Sequence, residues 1–415
     1  MTSTQFRVPG VRAPSQGVNG PAPGPVGGPV IQGWCPGALR PMLSGDGYVV
    51  RVRPQGGRLT QEQAAGIAAL ALAHGNGLID LSARANVQLR GVTETSHAPL
   101  IDGLRSLGLI DDCAEAEARR NIVVTPFWSA CEVTPVLAAA LAAALTAKDA
   151  PALPGKFGFA VDTGPIPVLR AVSADIRLER GPSGLICRAD GAGYGAAVTA
   201  ETAVTTALAL ARWFAANGGI REGRGRMAAH LARGAVLPEA FARSEATVVE
   251  TYQPVPGRLT RGTLVGFEFG QMRAETLAAL AALAPLRVTP WRMLFVEGAE
   301  VPAMPGIIRE SRDPMLHVLA CTGAPGCVQA LQPTRALARA LAPHVPLGDL
   351  LHVAGCAKGC AHPEPCAVTL VARARGFAVI RNGAAAEAPD APVFPAATLT
   401  CHPETLFDPT PTDLS

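Results

Sequence analysis

Apolar and polar positions along this chain fall into one pattern that occurs twice. Tyr48 to Arg53 alternates with the two-residue period of a half-buried strand. Thr60-Gln-Glu-Gln63 has the spacing of a capping box, so a helix opens there, runs to His74 and stops at Gly75. Gly77 to Leu81 predicts a second strand and Arg84 to Arg90 a third. In that third strand the alternation places Arg84, Asn86, Gln88 and Arg90 on one face and Ala85, Val87 and Leu89 on the other. A βαββ unit of this kind is half of a ferredoxin-like module. The second copy predicts a strand at Gly262 to Phe269, a helix at Ala274 to Ala284 and returning strands within Leu286 to Val296. Element spacing repeats more clearly than residues do. A duplication at so long a period predicts two halves packed as a pseudo-twofold pair, not a solenoid.

Composition narrows the class. A chain of 415 residues, 48% apolar and 17% charged, is globular and can hold two or three domains with substantial cores. A net charge of +3, no Lys/Arg run and 5% aromatics exclude a nucleic-acid binder. The longest apolar run, Val136 to Leu145, is Ala-rich and too short to span a bilayer. It predicts a buried helix with Thr134 as N-cap and Pro135 at the first helical position. No membrane segment and no basic-then-apolar leader is found, so a reducing cytoplasm is expected. Residues 1–32, dense in Gly and Pro without periodicity, are expected to be a disordered tail, and 384–415 a loose one.

Cysteine carries the clearest chemistry. Four thiols come in two tight pairs, Cys321-Thr-Gly-Ala-Pro-Gly-Cys327 and Cys356-Ala-Lys-Gly-Cys360. The pattern C-x5-C…C-x3-C can supply all four ligands of a 4Fe–4S cluster. The glycines and proline between them suit backbone wrapped tightly round a metal centre, with N–H groups aimed at sulfur. Zinc, disulfides and plain packed thiols compete for the same residues. Structural zinc takes cysteines two to four residues apart, which the first pair does not satisfy. Disulfides need an oxidising compartment. Four unrelated packed thiols would not fall into two pairs. Cys35, Cys113, Cys131, Cys187, Cys366 and Cys401 are scattered and expected to be packed thiols.

The same cysteine pattern is the cluster signature of the sulfite/nitrite reductase superfamily, which the chain resembles over about residues 33–385. Within it, Ala320 to Cys327 and Leu351 to Pro363 look most like the precorrin-3B synthases. The resemblance implies an α+β fold of duplicated ferredoxin-like half-modules, each followed by an α/β reductase-like segment. The expected layout is a first half-module at 33–117, a cluster-free α/β segment at 118–234 and a connection at 235–249. A second half-module at 250–300 and a cluster-binding segment at 301–383 follow. Arg51, Arg84 and Arg120 match superfamily motifs that line its tetrapyrrole pocket: the first-strand arginine, R-x-x-x-Q and R-N-[IV]. Without the resemblance, Arg84 to Arg90 is equally an ordinary solvated face. Sirohaem reductases carry Lys-x-Lys where this chain has Lys156-Phe157-Gly158, so the clamp for a small oxyanion is broken.

Implied by the resemblance, then, is O2-dependent hydroxylation of precorrin-3A at the meso carbon between rings A and D, the ring-A acetate closing a γ-lactone. That is a monooxygenase step of aerobic cobalamin biosynthesis. Arg51, Arg84, Arg120 and Lys156 suit the substrate's carboxylates, because guanidinium forks pair bidentately with them. The cluster would be held by Cys321, Cys327, Cys356 and Cys360. The family is also associated with a mononuclear non-haem iron. His362-Pro-Glu364 and His402-Pro-Glu404 both fit the start of a facial triad, and neither is singled out. The electron donor is expected to be NADH or a reductase. Two alternatives stand: a sirohaem-dependent sulfite or nitrite reductase, and a cluster-bearing electron-transfer protein without a catalytic pocket.

Overall fold

A computed structural model describes residues 36–245, 252, 254–387 and 390–407. The expected tail 1–32 lies outside them, as does Cys35. The first half-module contains β1 (Met42–Ser44), β2 (Gly47–Val52), β3 (Arg58–Leu59), α1 (Gln61–His74), β4 (Leu78–Leu81) and β5 (Val87–Val92), followed by α2 (Glu94–Ser106) and α3 (Ala114–Arg119). The start of α1 is the capping box read from the sequence. Thr60 and Gln63 each bond the other's backbone N–H at 3.1 Å. The third strand is shorter than its alternation suggests. Residues 82–86 form a tight turn, with Ala85 at φ 54° and the Ser82 hydroxyl accepting from the Arg84 and Asn86 N–H groups. Arg84 therefore leaves the strand face that Gln88 and Arg90 share.

The first α/β segment runs β6 (Ile122–Val124), α4 (Val133–Thr146), β7 (Phe159–Asp162), β8 (Ile176–Gly181), β9 (Gly184–Ala189), β10 (Tyr194–Val198), α5 (Ala203–Ala216), α6 (Met227–Ala232) and β11 (Ser244–Glu245). β6, β7 and β8 are parallel, in the sheet order β11-β10-β9-β8-β7-β6. α4 begins before its expected cap: Glu132 is the N-cap, and Thr134 is buried in the first turn, bonded to the Thr163 hydroxyl at 2.6 Å. Part of the expected connection 235–249 joins this sheet, since β11 is an edge strand on β10.

The second half-module repeats the first: β12 (Gly257–Leu259), β13 (Gly262–Val265), β14 (Gln271–Arg273), α7 (Ala274–Leu283), β15 (Leu286–Val288) and β16 (Leu294–Glu297). The last segment repeats the α/β unit with β17 (Val318–Ala320), α8 (Arg335–Leu341), β18 (Leu351–Ala354), β19 (Cys366–Arg373), β20 (Gly376–Gly383), β21 (Val393–Phe394) and α9 (Ala396–Cys401). Here too the first three strands are parallel, in the order β17-β18-β19-β20-β21. Residues 390–407 are not loose as expected. β21 pairs with β20, and Leu399 and Leu406 are fully buried against the last segment's core.

The two half-modules exchange strands. β14 completes the first sheet, β1-β2-β5-β4-β14, and β3 completes the second, β12-β13-β16-β15-β3. One core runs through both, with Leu59, Ile67, Ile79 and Leu89 joined to Leu277, Leu280 and Leu286, all but fully buried. This is the pseudo-twofold pair that the duplication implies. Among the described residues no helix is long and apolar enough to cross a membrane.

Candidate functional site

Residues paired across strands face the same way, so register alone defines a row of side chains on the first half-module's sheet. Arg51 lies opposite Gln88, Gln88 opposite Asp80, and Asp80 opposite Gln271, which the second half-module contributes. The row is knit together. Arg51 donates to the Gln88 carbonyl at 3.0 and 2.6 Å, and the Gln271 amide donates to Asp80 at 2.7 Å. Arg90 faces the same side, buried between Asp46 at 2.6 Å and Asp80 at 3.3 Å.

Both cysteine pairs look onto this row. Their loops follow β17 and β18, neighbouring parallel strands, and so leave the same end of the sheet. The Cys321–Cys327 loop rests on the β1–β2 hairpin, where the Gly45 N–H, the Ser44 hydroxyl and Arg90 donate to the Gly326 carbonyl at 3.1, 2.7 and 3.3 Å. The other loop is held from the second half-module by Arg292, which donates to the Ala361 carbonyl at 2.9 Å. Arg335, at the start of α8, donates to Gln271 and shares the electrostatic field of Asp80, Arg90 and Cys321. Its Nε is buried with no partner among the described residues. Burial makes the charges of Arg292 and Arg335 costly, and Asp80 offsets this in both.

The donor set fits the group its spacing implies. Partial burial raises the Cys356 and Cys360 thiols. The neighbouring paired thiols raise them further, Cys327 and Cys321 acting on Cys356, and Cys356, Cys321 and Cys327 on Cys360. The Gly355 N–H points at the Cys321 sulfur from 3.1 Å, and the Lys358 N–H bonds the Cys356 sulfur. Such N–H···S contacts stabilise thiolate ligands. At Gly323, φ is 68° and a Cβ would lie 2.6 Å from the Thr334 hydroxyl, which itself holds the Cys321 carbonyl at 2.7 Å. Among the described residues no three His, Cys, Asp or Glu side chains converge as ligands of a single metal ion. A four-iron cluster makes a different demand, taking each thiolate on its own iron. Neither His362–Glu364 nor the exposed His402–Glu404 pair gains a third ligand there.

The expected substrate residues separate. Arg51 is in the row. Arg84, displaced by its turn, donates to the Lys156 carbonyl at 3.1 Å, so these two lie together at the first α/β segment. Exposed Lys156 lines a cleft of about 210 Å³ with Arg224 and Arg226. Arg120 does not join them. It is buried and held bidentately by Asp111 at 2.8 Å, with a further bond to the Arg53 carbonyl, so its charge braces the fold. Asn121 likewise holds the Phe157 carbonyl at 3.0 Å. Gly158 is buried: its N–H donates to Asp175 at 2.9 Å, and a Cβ there would meet the Asn121 amide at 2.7 Å. A side chain at 158 would require Asn121 to give up this position. Of the scattered cysteines, Cys187 and Cys366 are buried, their thiols pushed up by burial to about 12 and about 11, whereas Cys113, Cys131 and Cys401 are exposed.

Sequence reasoning missed Asp80, Gln271, Arg292, Arg335 and Arg224. Asp80 sits in an expected strand and could have been paired with Gln88. Gln271, Arg292 and Arg335 reach the row and the cysteine loops only through long-range packing, and Arg224 reaches the Lys156 cleft in the same way. It also missed His352, fully buried on β18, whose ring nitrogens have no partner among the described residues. Burial, with the charges of His362 and Arg292, lowers it to about 4.

This architecture is like that of the nitrite/sulfite reductase fold. Residues 40–107 match the nitrite/sulfite reductase ferredoxin-like half domain. The structure of the Mycobacterium tuberculosis NirA protein superposes with a TM-score of 0.57 at 16% identity, over 86% of this chain and 79% of that one, a likeness of fold. A precorrin-3B synthase from Sinorhizobium sp is 29% identical over 402 residues, covering 87% of this chain and 85% of its own length. The resemblance drawn from the cysteine stretch is borne out at full length.

Proposed function

We propose that the chain is a precorrin-3B synthase: it hydroxylates precorrin-3A with O2, and the ring-A acetate closes a γ-lactone. The observation that supports the proposal most is the likeness to a precorrin-3B synthase over 87% of this chain, with the polar row that bears Arg51 packed beside a cysteine loop. One oxygen atom of O2 enters the substrate. The other leaves as water, taking two electrons and two protons from an external donor, NADH or a reductase, that would meet the protein in the cytoplasm.

The Cys321, Cys327, Cys356 and Cys360 thiolates would hold a 4Fe–4S cluster, which supplies single-electron transfer when bound. The protein's own groups do the positioning. Arg51 is pre-aimed by Gln88, so it can take a carboxylate with little reorganisation. Lys156, in its own cleft with Arg224 and Arg226, would take a second carboxylate. Asp80 and Asp46 hold Arg90 away from the ligand, which keeps the floor from becoming uniformly positive.

Incubation with precorrin-3A, a reductant and labelled O2 should add one labelled oxygen to the product. Brisk sulfite or nitrite reduction without turnover of precorrin-3A would refute the proposal, and label arriving from water would refute the oxygenase step. Arg51→Ala should bind precorrin-3A about ten- to a hundredfold more weakly with its iron content intact, the loss of one charged hydrogen bond.

A further inference from the structure

The duplication makes a second crevice, and its chemistry differs from the first. Around the cysteines, the loops after β17 and β18 meet the β1–β2 hairpin and the face of its sheet. In the other half, the loops after β6 and β7 meet the β12–β13 hairpin in the same way, with Arg261 donating to the Phe127 carbonyl at 3.1 Å and to Glu132 at 2.9 Å. Between them lies a cavity of about 370 Å³. The exchanged strands fix which positions correspond: Leu59 pairs with Leu286 as Met272 pairs with Ile79. Counting from there, Leu264 stands where the first sheet has Arg51, and Phe295 where it has Gln88. The ion pair Asp80–Arg90 becomes Arg287–Glu297, with its signs reversed, at 2.6 Å. The Arg51–Gln88 end of the row is thus apolar in the second crevice, while Arg287 and Arg58 stand where the first has Asp80 and Gln271.

We propose that this second crevice is a binding site for a neutral, planar heteroaromatic ring. Aromatic side chains give it its shape. Phe127 is stacked on Trp291 and meets Phe295 edge-on, with ring centroids 6.1 and 5.6 Å apart. Trp128 is clamped by the Arg287 guanidinium 3.7 Å from its ring centroid, and Arg287 also donates to the carbonyls of Pro126 and Trp128. The wall after β7 is fixed by Asp162, which accepts from the Val168 and Leu169 N–H groups at 2.7 and 2.8 Å. Rigid aromatic faces of this kind favour a flat π-system in offset or edge-on contact. The Trp128 indole N–H is buried behind the lining, so the cavity presents its aromatic carbon surface and not that donor. Glu132 and Arg261, the charged groups on the lining, neutralise each other, so the site favours an uncharged ring. Its volume lies at the low end for small-molecule pockets and suits two or three fused rings. A tetrapyrrole carrying many carboxylates would meet Phe295 where the first sheet has Gln88 and, among the described residues, no unpaired cation on the lining.

Riboflavin is a suitable probe, since stacking quenches its fluorescence. Titrated against the full chain, it should bind saturably at one site. Phe127→Leu, which removes an aromatic wall but keeps an apolar side chain, should weaken binding about fivefold. Ile166→Trp should abolish it by filling the mouth, where Ile166 is 60% exposed and tolerates the change. Arg51→Ala should bind riboflavin as the parent does, which separates this site from the proposed substrate crevice. Absence of saturable binding to the parent, undiminished binding in Ile166→Trp with unchanged circular dichroism and iron content, or loss of binding in Arg51→Ala would each overturn the proposal.

Discussion

At the scale of the residue, two side chains test how tightly the crevice is built. Gly158 is small because Asn121 occupies the space a Cβ would need, and the Asn121 amide is already engaged by the Phe157 carbonyl. Gly158→Ala should lower stability by about 1–3 kcal/mol, the usual cost of overpacking. In the double variant with Asn121→Ala the two losses should be less than additive, because the clash is gone. Denaturant midpoints measure both, and strict additivity would refute the steric account. His352 is the second case. It titrates at about 4 in the folded protein, against near 6.5 when exposed. The unfolded chain therefore takes the proton first, so stability falls as pH drops from 6.5 to 4 and levels off below. The gap corresponds to about 3 kcal/mol. Urea unfolding of iron-free protein at pH 7 and pH 4 should show a decline that is smaller in His352→Leu.

At the scale of the element, strand exchange makes the half-modules one folding unit. Leu59 lies on β3, fully buried, yet it pairs with β15 of the other half-module. Leu59→Ala should cost about 2–5 kcal/mol, the range for a buried leucine. Amides of β4, β5, β15 and β16 should lose hydrogen-exchange protection together. Two separable transitions would show that each half-module folds by itself. The α1 cap and the β2 alternation are legible because their signals are local. The start of β5 is not, because Ala85 turns at positive φ, a conformation no alternation reveals.

At the scale of the whole molecule, the two pairs of cysteines meet only because β17 and β18 are parallel neighbours whose loops are pinned by three different parts of the chain. Cys356→Ala should yield protein with little bound iron and sulfide, whereas Cys131→Ala, at an exposed position, should retain both. Full iron and sulfide in Cys356→Ala would refute the ligand assignment. Residues sort in the same way. The cysteines, Arg51 and Lys156 can be named from motifs because chemistry at fixed spacing is a local property. Arg120 is named by its motif too, and only its burial against Asp111 shows that it braces the fold.

The sequence by itself determined the duplication, the α+β class and the grouping of four thiols, since periodicity, caps and spacing are written along the chain. Tertiary structure decided which groups share a crevice. Gln271 and Arg335 reach the polar row through strand exchange and segment packing, at separations no pattern spans. It also decided that one fold carries two unlike crevices. Equivalent positions become Arg51 and Gln88 or Leu264 and Phe295, and only the pairing register brings each set to face its own pair of loops.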